Sequence, residues 1–408
     1  MSEDSPFLNN WLGELQYVER ARFISEGKDG VRIILARLQQ TRPVHSMVVK
    51  LVRYTGVHLG IEGRIAQYIS TLCASDSTQR TRELPALGRC YGVVPAMPMS
   101  AYPPAVVDAA ANGDFWTRDD RYLAILFEHI PDGQNMQATL TKLLSCDIDM
   151  RQQITCYIVF VVLVTICNLR RRHPSFRHND LMLTNIVVGC AATTPTRKIE
   201  QFRYWDDDDS EKIVYINNEY NVRVCIVDYG LASIADIPAL KNTALQRPHI
   251  TLLGAGLLPH PHYDAHYFLN TLHAFLTGYL DDELIKPIIK EWLTPEYLGM
   301  GFTHAAQYNP HFGRNATYRL SRFLELLQHP PIDAQHAAET MLMPASPLTE
   351  TDVRAARLKS MLSTNCSDAD VDQIFADGNE ILFRLAPSRM HSIPQMLQHV
   401  YFTSFDCR

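Results

Sequence analysis

The sequence predicts an α+β protein in two lobes, a β-rich front part with one helix and a mainly helical remainder. Three observations carry this. The first 130 residues are β-branched and aromatic runs separated by turn residues, with a single helical period among them. From about residue 133 the apolar spacing becomes helical. Two short β-runs, NIVVG (185–189) and RVCIVDYG (223–230), interrupt that helical half.

In chain order, residues 1–15 read as a polar tail. QYVERARFISEGKDGVRIILARL (16–38) reads as two strands around a glycine-containing turn, and HSMVVKLVRY (45–54) as a third strand. VHLGIEGRIAQYISTL (57–72) sets apolar residues at 61, 65, 68, 69 and 72, a helical period. LGRCYGVV (87–94) and YLAILFEHI (122–130) read as strands. Between them, MPMSAYPPAVVDAAANGD is rich in proline and alanine and reads as a loop. The β-rich lobe is therefore expected over 16–132.

Helical patterns follow at 134–145, 150–170, 264–280, 282–293, 316–328 and 350–362. They predict a helical lobe over 133–345 and a helical extension over 346–408, which packs on that lobe or serves as a docking segment. The two β-runs read as a hairpin. Their connection, with Asp206 to Asp209 and Glu211, is expected to be a solvated loop, an acidic insertion over about 190–221.

At 408 residues, 46% hydrophobic and 20% charged, the chain is globular in composition with ample core. Its net charge of -6 argues against a general nucleic-acid binder. Nine scattered cysteines with no CxxC pair fit reduced thiols in a cytosolic or nuclear compartment. MSEDSPFLNNWL lacks the basic and apolar regions of a secretory leader. ITCYIVFVVLVTICNL (154–169) carries no charge, but at 16 residues it is short for a membrane span. It is expected to be a buried core helix, and no membrane partner is expected.

The chemistry concentrates in four places. Gly27 and Gly30 lie between two strands, where a glycine turn lets backbone N–H groups approach phosphate oxygens. Lys50 lies on the next strand and offers a point charge. FRHNDLMLTN (176–185) places His178, Asp180 and Asn185 between a buried helix and a buried strand, where an isolated carboxylate is costly unless paired or at work. Asp228 and Gly230 close the second β-run.

This order resembles the protein-kinase motif set of Gly-rich loop, strand lysine, HxDxxxxN catalytic loop and DxG. The resemblance runs over roughly residues 20–330, carried by the motif stretches. YDAHYFLN (263–270) is similar to divergent serine/threonine kinases of large DNA viruses, which would place the chain in a host cytoplasm or a virion. The resemblance implies an ATP- and Mg-dependent protein kinase, serine/threonine-directed, monomeric and acting on a protein substrate. Asp180 would accept the acceptor hydroxyl's proton, and Asn185 and Asp228 would hold the metal. Lys50 would contact phosphates, held by Glu62, with Glu83 as the fallback partner. Backbone groups from Glu128 to Ile130 would meet the adenine edge, with Phe127 behind it. Asp264 would hold the catalytic-loop backbone from a helix start. His262 and His266, four apart, lack the further ligand and the Glu of a zinc motif.

The departures are specific. Position 179 is Asn where most protein kinases carry Arg, and position 182 is Met where serine/threonine kinases carry Lys. The loop lacks its first glycine, and no APE stands between Asp228 and Asp264. HNDLxxxN also matches small-molecule kinases of the choline/ethanolamine and aminoglycoside type, which is the alternative reading. A pseudokinase scaffold is the third. It is expected to lose one of Lys50, Asp180, Asn185 and Asp228, and all four are present.

Overall fold

The computed structural model describes residues 15–26, 31–39, 46–54, 60–76, 81–111, 120–190, 198–242, 245, 263–279, 285–292, 393–398 and 402. The turn of Gly27 and Gly30, the helices expected at 316–328 and 350–362, His262, the side chain of His266 and most of 346–408 lie outside them.

The chain is α+β. In order come β1 (Val18–Glu26), β2 (Arg32–Leu38), β3 (Ser46–Arg53), α1 (Gly60–Asp76), β4 (Thr81–Arg82), β5 (Cys90–Pro98), α2 (Pro104–Ala110) and β6 (Arg121–Glu128). Five of these strands form one antiparallel sheet in the order β1-β2-β3-β6-β5. Alternation on β3 decides what each face does. Met47, Val49 and Leu51 join a core with Tyr102 and Val106. Lys50 points the other way, on the face where Leu123, Ile125 and Val93 meet Ile61, Ile65 and Ile69 of α1.

The stretch expected to be a loop before β6 contains helix α2. Its prolines misled, because Pro104 sits in the first turn, where its missing N–H has no intrahelical partner to lose. Val106, Ala109 and Ala110 then follow at helical spacing and are buried.

The remainder carries β7 (Gln134–Asn135), α3 (Met136–Leu143), α4 (Ile148–Arg172), β8 (Phe176–Arg177), β9 (Ile186–Cys190), β10 (Ile199–Trp205), β11 (Glu211–Asn217), β12 (Val222–Ile226), β13 (Ser233–Ile234), α5 (Tyr263–Tyr279), α6 (Ile285–Trp292) and α7 (Ile393–Leu397). Asp147 caps α4 by accepting from the Met150 N–H at 2.8 Å, and Arg170 to Arg172 occupy its last turn. The helix is long and apolar enough to cross a membrane, yet 89% of its most apolar window is buried within the protein. Apolar residues on every side fit that burial. Phe160 meets Phe202 at 5.4 Å and Phe402 at 5.1 Å, and Phe402 stacks on Trp292 at 5.6 Å.

The acidic insertion, described over 198–221, is not a single loop there. It is the antiparallel hairpin β10–β11, and β10 also pairs in parallel with β4. Glu200, Phe202 and Tyr204 alternate inward and are buried, so the acidic run is confined to the turn. There Asp206 Oδ1 accepts from the N–H groups of Asp208 (3.1 Å) and Ser210 (2.8 Å). The acidic turn is the feature legible in sequence; the short strands beside it are not.

Candidate active site

Lys50 lies on β3 opposite Ile33 and Ile125, in the middle of the sheet. Its Nζ donates to Glu62 Oε1 at 2.6 Å and to Asp228 Oδ1 at 2.7 Å. Glu62 sits in the first turn of α1, where the helix terminus favours a carboxylate. Gly63 lets the helix lie close to β5, since a Cβ there would stand 2.7 Å from Val93 Cγ2. Glu83, the fallback partner, pairs instead with Arg172 and Arg203, behind the site.

One ammonium therefore stands between two carboxylates, and burial sorts them. Burial works against the Lys50 charge, but Glu62 and Asp228 together outweigh it and hold the ammonium above its ordinary pKa. Burial pushes Glu62 up against the pull of Lys50. Burial also opposes ionisation of Asp228, yet Lys50 wins there and lowers it. The Asp228 side chain is the more open of the two, 45% exposed against 10% for Glu62.

β9 and β12 are antiparallel, with Ile186 opposite Ile226. Asn185 and Asp228 therefore leave the same end of the ladder, tied by Val227 N–H to Asn185 C=O at 2.9 Å. Asp228 has a left-handed backbone, φ 66° and ψ 70°, which turns it out of the strand. A Cβ on Gly230 would stand 3.4 Å from Asp228 Oδ1 and 3.8 Å from Glu62 Oε2.

The loop between β8 and β9 is anchored from α5. Asp264 accepts from the His178 N–H through Oδ2 at 2.8 Å and from the Asn179 N–H through Oδ1 at 2.9 Å. Asn179 adopts φ 63°, which Asn tolerates better than most residues, and its Nδ2 donates to Leu231 C=O at 2.8 Å. His178 Nε2 lies 3.0 Å from Val227 C=O. Both ends of the loop are thus bound to the segment around Asp228.

Asp180 carries a donor on each oxygen. Asn185 Nδ2 reaches Oδ2 at 2.9 Å, and the Tyr267 hydroxyl donates to Oδ1 at 3.2 Å. Burial raises its carboxyl to about 6, with Asp228 adding to the rise and His178, Tyr267 and Asn185 opposing it. A carboxylate poised there is suited to general-base work near neutral pH. Tyr267 was missed in the sequence, although it stands three residues after Asp264 and so shares its helix face.

The donor set fits Mg²⁺. Asn185 Nδ2 is taken by Asp180 C=O (2.8 Å) and Oδ2, and no hydrogen bond from a described residue reaches its Oδ1. That oxygen and the partly open Asp228 carboxylate are hard ligands. At the expected adenine edge, the Glu128 N–H donates to Arg89 C=O at 2.9 Å and the Glu128 carboxylate pairs with Arg223 at 2.7 Å. Ile130 C=O accepts from the Gly133 N–H at 3.0 Å. The Ile130 N–H makes no hydrogen bond among the described residues.

No family model matches the chain. Over 115 residues, 28% of its length, it is 27% identical to a protein of Acanthamoeba polyphaga mimivirus named a "putative serine/threonine-protein kinase". The stretch is kinase-like. The match spans 23% of the mimivirus protein. A superposition with WaaP, solved in complex with acyl carrier protein, covers 71% of this chain and 95% of that one at 10% identity and a TM-score of 0.29.

Proposed function

We propose that the chain is an ATP- and Mg-dependent phosphotransferase acting on protein hydroxyls, with two lobes meeting at Lys50. The observation that carries this is the Lys50 ammonium held between Glu62 and Asp228, beside the Asp180–Asn185 pair. Phosphoryl transfer is mostly positioning and charge neutralisation, and these residue types supply both. Lys50 binds phosphate oxygens and is kept charged for it by its two carboxylates. Asp228 and Asn185 Oδ1 hold the metal, which when bound neutralises phosphate charge. Asp180 orients the acceptor hydroxyl and takes its proton, while Tyr267 and Asn185 fix the carboxylate's direction. The Ile130 N–H is one group open to meet a base edge.

Asn179 supports a second reading, a small-molecule kinase. Its amide is spent on Leu231, so position 179 supplies no cation to read a phosphorylated activation segment. The deciding experiment is labelled ATP transfer by the purified protein, offered generic proteins and, separately, choline and aminoglycosides. Asp180→Asn and Lys50→Met are the controls. Labelled protein that disappears in both variants supports the first reading. Label on small molecules alone replaces it with the second. Transfer that survives Asp180→Asn overturns the assignment of the base.

A further inference from the structure

The sheet face that carries Lys50 also carries cations that the site does not use. Arg20 of β1 lies directly opposite Arg37 of β2, and Arg22 lies opposite Leu35. Cross-strand partners share a face, as do residues two apart, so Arg20, Arg22 and Arg37 stand together. Arg37 is in turn opposite Ser46 of β3, and Ser46 Oγ lies 2.9 Å from His129 Nδ1. Ser46, Val48 and Lys50 alternate onto that same face.

All three arginines are exposed, and none forms an ion pair with a described residue. Other surface cations are matched: Arg53 with Asp120, Arg171 with Asp209, Arg223 with Glu128. Arg22 and Arg37 lie near enough to His129 to add to the effect of burial in lowering its pKa, with Asp132 pulling the other way. Like charges placed directly opposite one another weaken a ladder. A protein of net charge -6 concentrates them here against that cost.

We propose that Arg20, Arg22 and Arg37 form a recognition surface for an acidic segment of the protein substrate, on the sheet face that carries Lys50. Ser46 and Lys50 are four residues apart on one strand, roughly 13 Å, which an extended peptide spans in about four residues. Guanidinium forks match carboxylates two oxygens at a time. The overall negative charge repels a long polyanion, whereas a short acidic segment meets only the local patch. The proposal rests on the protein-substrate reading above.

The test is fluorescence anisotropy with a Glu/Asp-rich peptide, its Gln/Asn counterpart and a single-stranded RNA, on the wild type and on the combined Arg20→Gln, Arg22→Gln, Arg37→Gln variant. The acidic peptide is expected to bind, more weakly as salt rises, and to lose about tenfold in affinity in the variant. The ATP-dependent thermal shift should stay unchanged, which shows that the variant is folded. Arg37→Gln alone should raise Tm, because it relieves the pair with Arg20. Equal binding of the neutral peptide, or an unchanged affinity in the variant, overturns the proposal. So does RNA binding that the variant loses while the acidic peptide is ignored. Binding is read without turnover, so a failed phosphotransfer assay and a failed surface are told apart.

Discussion

Under the proposed function, protonation and reaction meet at Asp180. Its carboxyl titrates near 6 in the folded chain, against an ordinary value of 3.8. The turnover rate should therefore climb as pH passes through about 6, and a pH–rate profile reads that limb directly. Tyr267 opposes the rise, so Tyr267→Phe should move the limb to higher pH while leaving Tm nearly unchanged. Stability runs the other way. A carboxyl raised by folding favours its protonated form, so its contribution is full below 3.8 and is lost as pH climbs through 6. Asp180→Asn should thus lower turnover by about 10³ yet raise Tm at pH 8, with little change at pH 4. A Tm that falls equally at both would reject the burial explanation. That Lys50, Asp180, Asn185 and Asp228 gather at one site was legible because short motifs mark them. Tyr267 was not, because its contact joins residues 87 apart and no local pattern announces it.

At the level of elements, the placement of α1 controls the Lys50–Glu62 pair. Gly63 is the point of closest approach to β5, and Gly63→Leu adds bulk where no room exists, at a cost of about 1–3 kcal/mol. The variant should bind ATP more weakly by thermal shift although no site residue is altered; full retention would mean that α1 can slide without losing the pair. Behind it, the Ala86 N–H donates to the buried Thr165 hydroxyl of α4 at 3.0 Å. Thr165→Val keeps the shape and strands that N–H, so chemical denaturation should show a loss of about 1–3 kcal/mol. Long elements were readable from periodicity: β3, β6, α1 and α4 fall close to where their apolar spacing put them. Strands of two residues, such as β4, β7, β8 and β13, carry no period at all. α2 was hidden by prolines whose meaning depends on whether they fall inside a turn or at a helix start.

Across the whole molecule, the hairpin β10–β11 joins the segment after α1 to α4. Arg82 pairs with Glu200 at 3.2 Å, and the Tyr157 hydroxyl donates to the same carboxylate at 2.6 Å. Asn168 Nδ2 bridges the carbonyls of Glu83 (2.6 Å) and Arg203 (2.7 Å). The hairpin therefore braces the stretch between the Glu62 helix and β5. Phe202→Ala empties a fully buried site against Phe160 and should cost about 3–5 kcal/mol in denaturant unfolding. It should weaken ATP binding as well; lost stability with intact ATP affinity would separate the brace from the site. By itself, the sequence determined the α+β class, the order of the motifs and the residue types they carry, because these depend on local period and spacing. Only the tertiary structure decided that Glu62 rather than Glu83 meets Lys50, that Tyr267 reaches Asp180, and that an acidic insertion folds as a hairpin against α4. Each of those is a contact between distant segments, chosen by how buried surfaces fit, and no local stretch of sequence encodes that fit.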